Sequence, residues 1–314
     1  MNSALIIRGG AIGDFVLSLP AVRAFRDCFP KVRLEIMGYS HITELAHRRF
    51  YAEAVRSLDH RAAAMFFAAR GTLDPDLSRY FSSFDLIVSY LYDPDRIFET
   101  NLGRAGARRV VIADGRPPGG EHASKHLSRW LSEAGVTGLI ESPALYPSKE
   151  DQSEAMRLFP LLDRPTVALH PGSGSPSKNW PVTRFCELAG WLQERGLRVL
   201  VMTGPADTDV DTIFWKDRVA AGCTRCRDLT LPVLAAVIQR CAAFVGHDSG
   251  ISHIAAAVDT PTLAIFGATD PAVWAPRGKR AQVLQRRAAA AEVSLEDVKN
   301  ALEDWLKKGH ERKT

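Results

Sequence analysis

The chain has 314 residues, of which 46% are hydrophobic and 24% charged, and its formal net charge is +4. This composition is typical of a globular protein and argues against disorder or a membrane bundle. The length exceeds the usual size of one core, so two domains are expected, and the small positive charge does not indicate nucleic acid as a partner.

The start of the chain carries no targeting pattern. Residues 4–7 are apolar, but Arg8 and Asp14 interrupt this run, and no later run approaches the ~18 apolar residues of a membrane span. Five cysteines without periodic spacing are typical of reduced thiols, and neither they nor the histidines show the spacing of a metal site. We therefore expect a cytoplasmic protein without metal or cofactor.

The first half reads as alternating strands and helices. Apolar runs predict strands at residues 4–8, 33–37, 86–90 and 109–113, and helical spacing predicts a helix at 16–29. This order is typical of repeated strand–helix–strand units.

The second half repeats the pattern more clearly. Short buried strands are predicted at residues 166–169, 198–203, 244–246 and 262–266, with amphipathic helices between them and a last helix from residue 295. Each half therefore predicts a doubly wound α/β domain, with helices on both faces of a parallel sheet. We place the linker near residues 142–164, rich in proline and charge, and the domains at 1–150 and 151–314.

The first turn, residues 8–14 (RGGAIGD), fails as a dinucleotide fingerprint because an arginine occupies the first glycine position and the turn ends in an acid. Asp14 would lie at a helix N-terminus, where the dipole stabilises a carboxylate. It is either a general base for an acceptor hydroxyl or an acid that only stabilises its helix. Gly10 would leave room for the acceptor.

Two loops of the second half favour a nucleotide sugar. Residues 170–181 (HPGSGSPSKNWP) form a stiff loop lined by hydroxyls, in which Lys178 would stabilise a departing diphosphate without a metal or would remain a solvated lysine. Residues 203–209 (TGPADTD) place two acids at a helix entry, and we assign ribose binding to Asp209 rather than Asp207.

Residues 244–253 (FVGHDSGISH) carry the strongest signal. A strand that leads directly into a helix leaves backbone N–H groups unpaired, and these donors and the helix dipole favour an anion such as a phosphate. The alternative is a turn in which Asp248 or Ser249 merely caps the helix.

Together these segments resemble glycosyltransferase family 9, which contains the ADP-heptose:lipopolysaccharide heptosyltransferases. The resemblance runs over about residues 4–278 and rests on the order of five segments: 13–20 (GDFVLSLP), 170–181, 204–207 (GPAD), 248–253 (DSGISH) and 266–271 (FGATDP). It implies a GT-B fold, with two Rossmann-like domains facing each other across a cleft. It also implies an inverting, metal-independent transfer of heptose from ADP-L-glycero-D-manno-heptose to a lipopolysaccharide inner-core acceptor of the lipid A–Kdo type.

Carried over by position, the resemblance implies that Asp14 is the catalytic base, that Lys178 contacts the diphosphate and that Asp248 holds sugar hydroxyls. The other donor-binding residues that we assign lie on the two glycine-bearing loops: Ser173, Ser175, Ser249, Gly250 and His253. Serine stands at several of these positions where the family often has threonine.

We assign the acceptor, with its phosphates or carboxylates, to Gly10 and to three basic residues of the first domain, namely Arg49, Arg61 and Lys125. The expected partners are an ADP-sugar, a lipopolysaccharide precursor and, peripherally, the cytoplasmic face of the inner membrane. The alternatives are a GT-B transferase for another nucleotide sugar or a non-lipid acceptor, and a non-catalytic nucleotide-sugar-binding protein.

Overall fold

The computed structural model describes residues 1–137, 142–160, 162 and 164–310, so residues 161 and 163 of the predicted linker lie outside the described residues. The chain divides into two compact units, Met1–Ser142 and Pro143–Thr314. The division thus falls before the boundary at 150 that the sequence suggests. The N–H of Leu145 donates to the carbonyl of Ala257 (2.9 Å), which ties the start of the linker to the second unit.

The first unit is built on a five-stranded parallel sheet in the order β3-β2-β1-β4-β5. Its strands are β1 (Ser3–Arg8), β2 (Arg33–Gly38), β3 (Ala54–Ser57), β4 (Leu86–Ser89) and β5 (Val110–Ile112). Every residue of β1 is buried, as expected for the central strand of a sheet that is covered on both faces. The strand order reverses between β1 and β4.

The helices of the first unit connect these strands: α1 (Ile12–Cys28), α2 (Ser40–Thr43), α3 (Arg61–Ala64), α4 (Pro75–Ser82), α5 (Ile97–Arg104) and α6 (Ala123–His126). Helix α1 begins at Ile12 rather than at the predicted residue 16, so Asp14 lies in its first turn. On one face of the sheet, aromatic side chains from three segments pack on Leu5 and Ile7; they are Phe66, Phe81 and Phe98.

The second unit contains a six-stranded parallel sheet in the order β11-β10-β9-β6-β7-β8. Its strands are β6 (Thr166–Leu169), β7 (Arg198–Thr203), β8 (Cys223–Arg227), β9 (Ala243–His247), β10 (Thr262–Phe266) and β11 (Ala281–Gln285). Its helices are α7 (Lys149–Leu158), α8 (Val182–Glu194), α9 (Thr208–Phe214), α10 (Leu231–Gln239), α11 (Gly250–Ala257), α12 (Pro271–Trp274) and α13 (Leu295–His310). Here the order reverses between β6 and β9, so both units confirm the predicted parallel α/β architecture.

Helix α13 confirms the predicted C-terminal helix. The hydroxyl of Ser294 accepts from the N–H of Asp297 (3.1 Å), and the Asp297 carboxylate accepts from the N–H of Ser294 (3.3 Å), which closes a capping box. Val298 and Leu302 then pack into the core of the second unit. Among the described residues, no helix has both the length and the apolar character needed to cross a bilayer.

Candidate active site

The predicted functional turns lie where the strand order of each sheet reverses. Residues 8–14 begin at the last residue of β1, residues 170–181 follow β6, and residues 248–253 follow β9. At such a reversal the loops from two neighbouring strands diverge to opposite faces, which leaves a crevice at the carboxyl ends of the strands. Each unit therefore carries its candidate residues at the position where doubly wound sheets bind ligands.

The first-unit turn (residues 8–14) is shaped by Gly10, whose φ is +97°. A Cβ there would lie 2.9 Å from Oδ2 of Asp14, so a side chain would be strained and crowded. The same carboxylate oxygen accepts a hydrogen bond from the N–H of Ala11 (2.9 Å). The immediate neighbour of Gly10 is thus the Asp14 side chain, and its assignment to the acceptor stays a prediction.

Arg8 is a residue of this turn whose role the sequence did not reveal. Its guanidinium is buried and donates through Nε and Nη2 to the carbonyl of Asp14 (3.3 and 3.2 Å), and Nη2 lies 3.4 Å from Oδ1 of the same residue. Burial lowers the pKa of Arg8, while the neighbouring charge of Asp14 acts in the opposite direction. The Asp14 carboxylate therefore lies between a buried cation and the start of α1, and its side chain remains 30% exposed.

Tyr90 directly follows β4, at the point where the strand order of the first sheet reverses. Its ring lies 5.2 Å from the Arg8 guanidinium carbon, and its hydroxyl donates to the carbonyl of Leu127 (2.7 Å). The indole N–H of Trp130 donates to the same hydroxyl. Burial raises the pKa of Tyr90, so this phenol remains neutral and acts as a structural donor and acceptor.

The structure places the three predicted acceptor cations differently. Arg61 is exposed and begins α3, directly after the carboxyl end of β3, at the edge where Asp14 lies. Lys125 is exposed in α6, with Nζ 3.9 Å from Glu121. Arg49 precedes the start of β3, and its guanidinium donates to two main-chain carbonyls of its own loop (2.9 and 2.8 Å). Because starts and ends of parallel strands lie at opposite edges, this placement gives no support to an acceptor role for Arg49.

An ion pair joins the two predicted loops of the second unit. Nζ of Lys178, in the loop after β6, lies 2.6 Å from Oδ2 of Asp248, in the turn after β9. The lysine side chain is 40% exposed and the aspartate 10%. We call the group formed by this pair and the serines Ser173, Ser175 and Ser249 the cradle. The pair brings together two charges that lie 70 positions apart in the sequence.

His247 holds the loop of the cradle in place. Its Nδ1 lies 3.0 Å from the carbonyl of Gly172, and its Nε2 accepts from the N–H of Trp180 (2.7 Å). The second bond requires an unprotonated Nε2, so the ring is the neutral tautomer with its proton on Nδ1. Burial lowers the pKa of His247 to about 4. The ring therefore anchors the loop on both sides of Lys178.

Ser249 lies at the N-cap of α11, but its side chain makes no capping bond. Its Oγ is buried and has no hydrogen-bond partner among the described residues. Asp248 is paired with Lys178, so neither side chain of this turn serves as a simple helix cap. Gly250 is the first residue of α11, and His253 is buried one turn later. A buried hydroxyl at a helix N-terminus favours an oxygen-rich anion.

The remaining donor candidates differ in accessibility. Ser173 Oγ lies 2.6 Å from the amide oxygen of Asn179 and accepts from the N–H of Ser175, so this hydroxyl orders the loop. Ser175 is half-buried, with its Oγ 3.1 Å from that of Ser177. Asp209 is exposed in the first turn of α9.

Asp207, by contrast, is buried. Its carboxylate lies 3.3 Å from Nε2 of His170 and accepts from the N–H of Gly204 (2.9 Å). Burial opposes its ionisation, but His170 and the backbone N–H groups outweigh burial and lower the pKa of Asp207. This acid therefore has a structural role, and Asp209 remains the candidate for ribose. Over the described ranges, no group of three or more His, Cys, Asp or Glu is placed to hold a metal ion.

Comparison with known proteins identifies the family. The model of glycosyltransferase family 9 (heptosyltransferase) matches residues 131–302. Lipopolysaccharide heptosyltransferase 3 of Escherichia coli K12 is 23% identical over 286 residues, which cover 84% of this chain and 82% of that protein.

Two solved structures share the fold. The glycosyl transferase family 9 protein from Veillonella parvula DSM 2008 has a TM-score of 0.83 at 16% identity and covers 98% of both chains. The ADP-heptose LPS heptosyltransferase II of E. coli has a TM-score of 0.79 at 18% identity and covers 99% of this chain and 100% of its own. These likenesses confirm the predicted GT-B fold class. Since the family model covers more than half of the sequence, the chain belongs to glycosyltransferase family 9 and is a glycosyltransferase.

Proposed function

We propose that the protein transfers a heptose from ADP-L-glycero-D-manno-heptose to a lipopolysaccharide inner-core acceptor of the lipid A–Kdo type, with inversion at the anomeric carbon. Family membership and the names of the related heptosyltransferases support this choice of sugar and acceptor. The observation that carries the proposal is the ion pair of Lys178 and Asp248 next to the Ser249 hydroxyl, which has no hydrogen-bond partner in the described part of the chain.

On the donor side, the cradle offers a cation, a hydroxyl and a helix N-terminus to a diphosphate. The diphosphate of the donor would compete with Asp248 for Lys178, because both are anions that can accept from the ammonium group. The Asp248 carboxylate would then accept hydrogen bonds from hydroxyls of the heptose. Lys178 and the N-terminus of α11 would stabilise the negative charge that develops on the departing ADP.

On the acceptor side, Asp14 would act as the general base. Its carboxylate would remove the proton from the acceptor hydroxyl while the hydroxyl oxygen bonds to the anomeric carbon and the bond from that carbon to the diphosphate oxygen breaks. Attack from the face opposite the diphosphate inverts the configuration. The proposal requires that an acceptor held by the first unit meets a donor held by the second during turnover, and it makes residues 1–150 the acceptor domain and 151–314 the donor domain.

A lipid-linked acceptor would require the reaction to take place at the cytoplasmic face of the inner membrane. Arg61 supports an acceptor of this kind, because its exposed cation lies at the same sheet edge as Asp14 and can bind the phosphates and carboxylates of the acceptor. Lys125, exposed in α6, is a second candidate cation.

The test is a transfer assay with purified protein, ADP-L-glycero-D-manno-heptose and heptose-free lipopolysaccharide. The expected result is an acceptor heavier by one heptose and one ADP released per transfer, with no ADP released when the acceptor is omitted. GDP- and UDP-sugars serve as competing donors. Preferred transfer from one of these would replace the heptose assignment, and transfer to a non-lipid acceptor would replace the lipopolysaccharide assignment.

A further inference from the structure

We infer that residues 61–71 of the first unit (RAAAMFFAARG) form a membrane-docking surface that binds an anionic phospholipid bilayer. This inference rests on the proposed function, because a lipid-linked acceptor requires the enzyme to work at a bilayer. We call residues 61–71 the docking segment.

The docking segment exposes an apolar stretch. Five of the six residues 64–69 are exposed although all six are apolar. Met65 is 41% exposed and Phe67 is 42% exposed. Isolated apolar side chains on a surface need no explanation, but a cluster of exposed apolar side chains, here interrupted by the buried Phe66, is typical of a contact site with a protein or a membrane.

Buried side chains of the first unit hold the backbone of this apolar stretch in place. Phe66 is fully buried, with its ring 4.9 Å from that of Phe81. The buried amide of Asn101 donates to the carbonyls of Phe66 (2.9 Å) and Ala68 (3.0 Å). Phe67 lies with its ring stacked 4.8 Å from Phe98. The apolar stretch is therefore an ordered part of the first unit, and buried partners fix its backbone.

The charges around the apolar stretch favour an anionic bilayer as its binding partner. Arg61 and Arg70 are exposed and bracket the apolar stretch, and residues 60–73 contain no acid. Arg104 adds a third exposed guanidinium, which donates to the carbonyl of Gly71 (3.3 Å). On α5, which packs against the segment, Glu99 is ion-paired with Arg96. Exposed apolar side chains flanked by exposed arginines match the acyl chains and head groups of an anionic leaflet, where each basic residue strengthens binding roughly fivefold.

The docking segment lies at the edge of the sheet that carries the candidate base. It begins directly after the loop that follows β3, and a side-chain carbon of Leu58 in that loop lies 3.5 Å from where a Cβ of Gly9 would be. Gly9 belongs to the same turn as Asp14. Docking through this segment would therefore bring the Asp14 edge toward the head groups, where the sugar of a lipid-linked acceptor lies.

The experiment is sedimentation with vesicles of phosphatidylcholine alone and with vesicles that also contain phosphatidylglycerol. Wild-type protein should bind the anionic vesicles and not the neutral ones. The double variant Met65→Ser, Phe67→Ser should lose on the order of tenfold in partitioning, because two half-exposed apolar side chains no longer enter the bilayer. Arg70→Gln should lose roughly fivefold. Ile213→Ser is the matched control, since Ile213 is a 53% exposed apolar residue of the second unit, and it should bind like the wild type.

Three results would overturn the inference. These are wild-type protein that does not bind anionic vesicles, a double variant that binds them as tightly as Ile213→Ser, and a wild-type dimer that the double variant converts to a monomer. Thermal stabilisation by ADP and transfer to a delipidated, water-soluble acceptor are measured on the same variants. Both should be retained, so a failure of docking is distinguished from a failure of the proposed transferase activity.

Discussion

Replacement of His247 tests whether a neutral, buried imidazole holds the loop of the cradle. The folded protein has a His247 pKa of about 4, against an ordinary value of 6.5, chiefly because of burial. The unfolded chain therefore binds a proton that the folded chain excludes between these two values, and the free energy of unfolding falls as the pH is lowered through this window. At about 1.4 kcal/mol per pKa unit, the full contribution is about 3 kcal/mol, present above pH 6.5 and lost by about pH 4.

The assay is urea unfolding followed by tryptophan fluorescence at about pH 7, 5.5 and 4, values that span the window between the two pKa values. The control is His247→Gln, since an amide can accept from Trp180 and donate to Gly172 without titrating in this range. The wild type should lose about 3 kcal/mol more than His247→Gln between the extremes. Parallel losses in the two proteins would refute the neutral-imidazole interpretation.

Three further predictions concern the cradle and the loop after β6 that carries Lys178. Lys178→Met should weaken ADP binding by roughly 10- to 100-fold, the value of a charge-assisted hydrogen bond, and should lower stability by about 1–3 kcal/mol, because it leaves the largely buried Asp248 carboxylate without its ion-pair partner. Ser249→Ala should leave stability unchanged or slightly higher, because its Oγ is buried without a partner among the described residues, and should weaken ADP binding by roughly 2- to 10-fold in a calorimetric titration. Gly172→Ala should lower stability by about 1–3 kcal/mol in thermal unfolding, because the new Cβ would lie 1.8 Å from Oδ1 of Asp207.

Two control variants accompany these changes. Lys216→Met removes an exposed lysine beyond α9 and should leave ADP affinity unchanged. Gly103→Ala, in α5, adds a Cβ with no atom within 4 Å and should not lower stability. Equal ADP affinity in Lys178→Met and Lys216→Met would contradict the cradle, as would a Ser249→Ala protein that binds ADP like the wild type. A stable Gly172→Ala protein would contradict the tight packing of Asp207.

The central strands of both sheets were predictable because they are continuous apolar runs. The predicted ranges 166–169, 198–203 and 262–266 coincide with β6, β7 and β10. Strands β3, β8 and β11 were missed, and each lies at an edge of its sheet. Strand β8 reads CTRCR, with three exposed positions, because it pairs on one side only and faces solvent along the other. These three edge strands therefore lack the apolar signal that identifies a buried strand, whereas the edge strand β5 is an apolar run and was predicted at residues 109–113.

Candidate site residues could be chosen from the sequence where a side chain lies in a local motif, and the roles assigned to them stay predictions. Asp14 lies in the first turn of α1, and Lys178 and Asp248 lie between a strand and the next helix, so local sequence pattern indicated all three as candidates. No local sequence pattern indicates the role of His247, because its partners lie 67 and 75 positions away. Arg8 was seen only as a break in the dinucleotide fingerprint. Such roles depend on contacts that arise after folding.

The basic residues show the same limit. Arg49 and Arg61 look equivalent in the sequence, yet one precedes the start of β3 and the other follows its end. Only the direction of the strand decides which cation lies at the Asp14 edge. Charge alone therefore does not separate these candidates, and the acceptor role of each stays a prediction.

The most direct test of the central claim, that Asp14 is the base of a heptose transfer, is turnover by Asp14→Asn measured together with its ADP affinity. Asparagine keeps the size of the side chain but accepts no proton, so kcat should fall by roughly 10²- to 10⁴-fold. The Kd for ADP should stay within about twofold, because Asp14 belongs to the first unit and the cradle to the second. Wild-type turnover in Asp14→Asn would contradict the account.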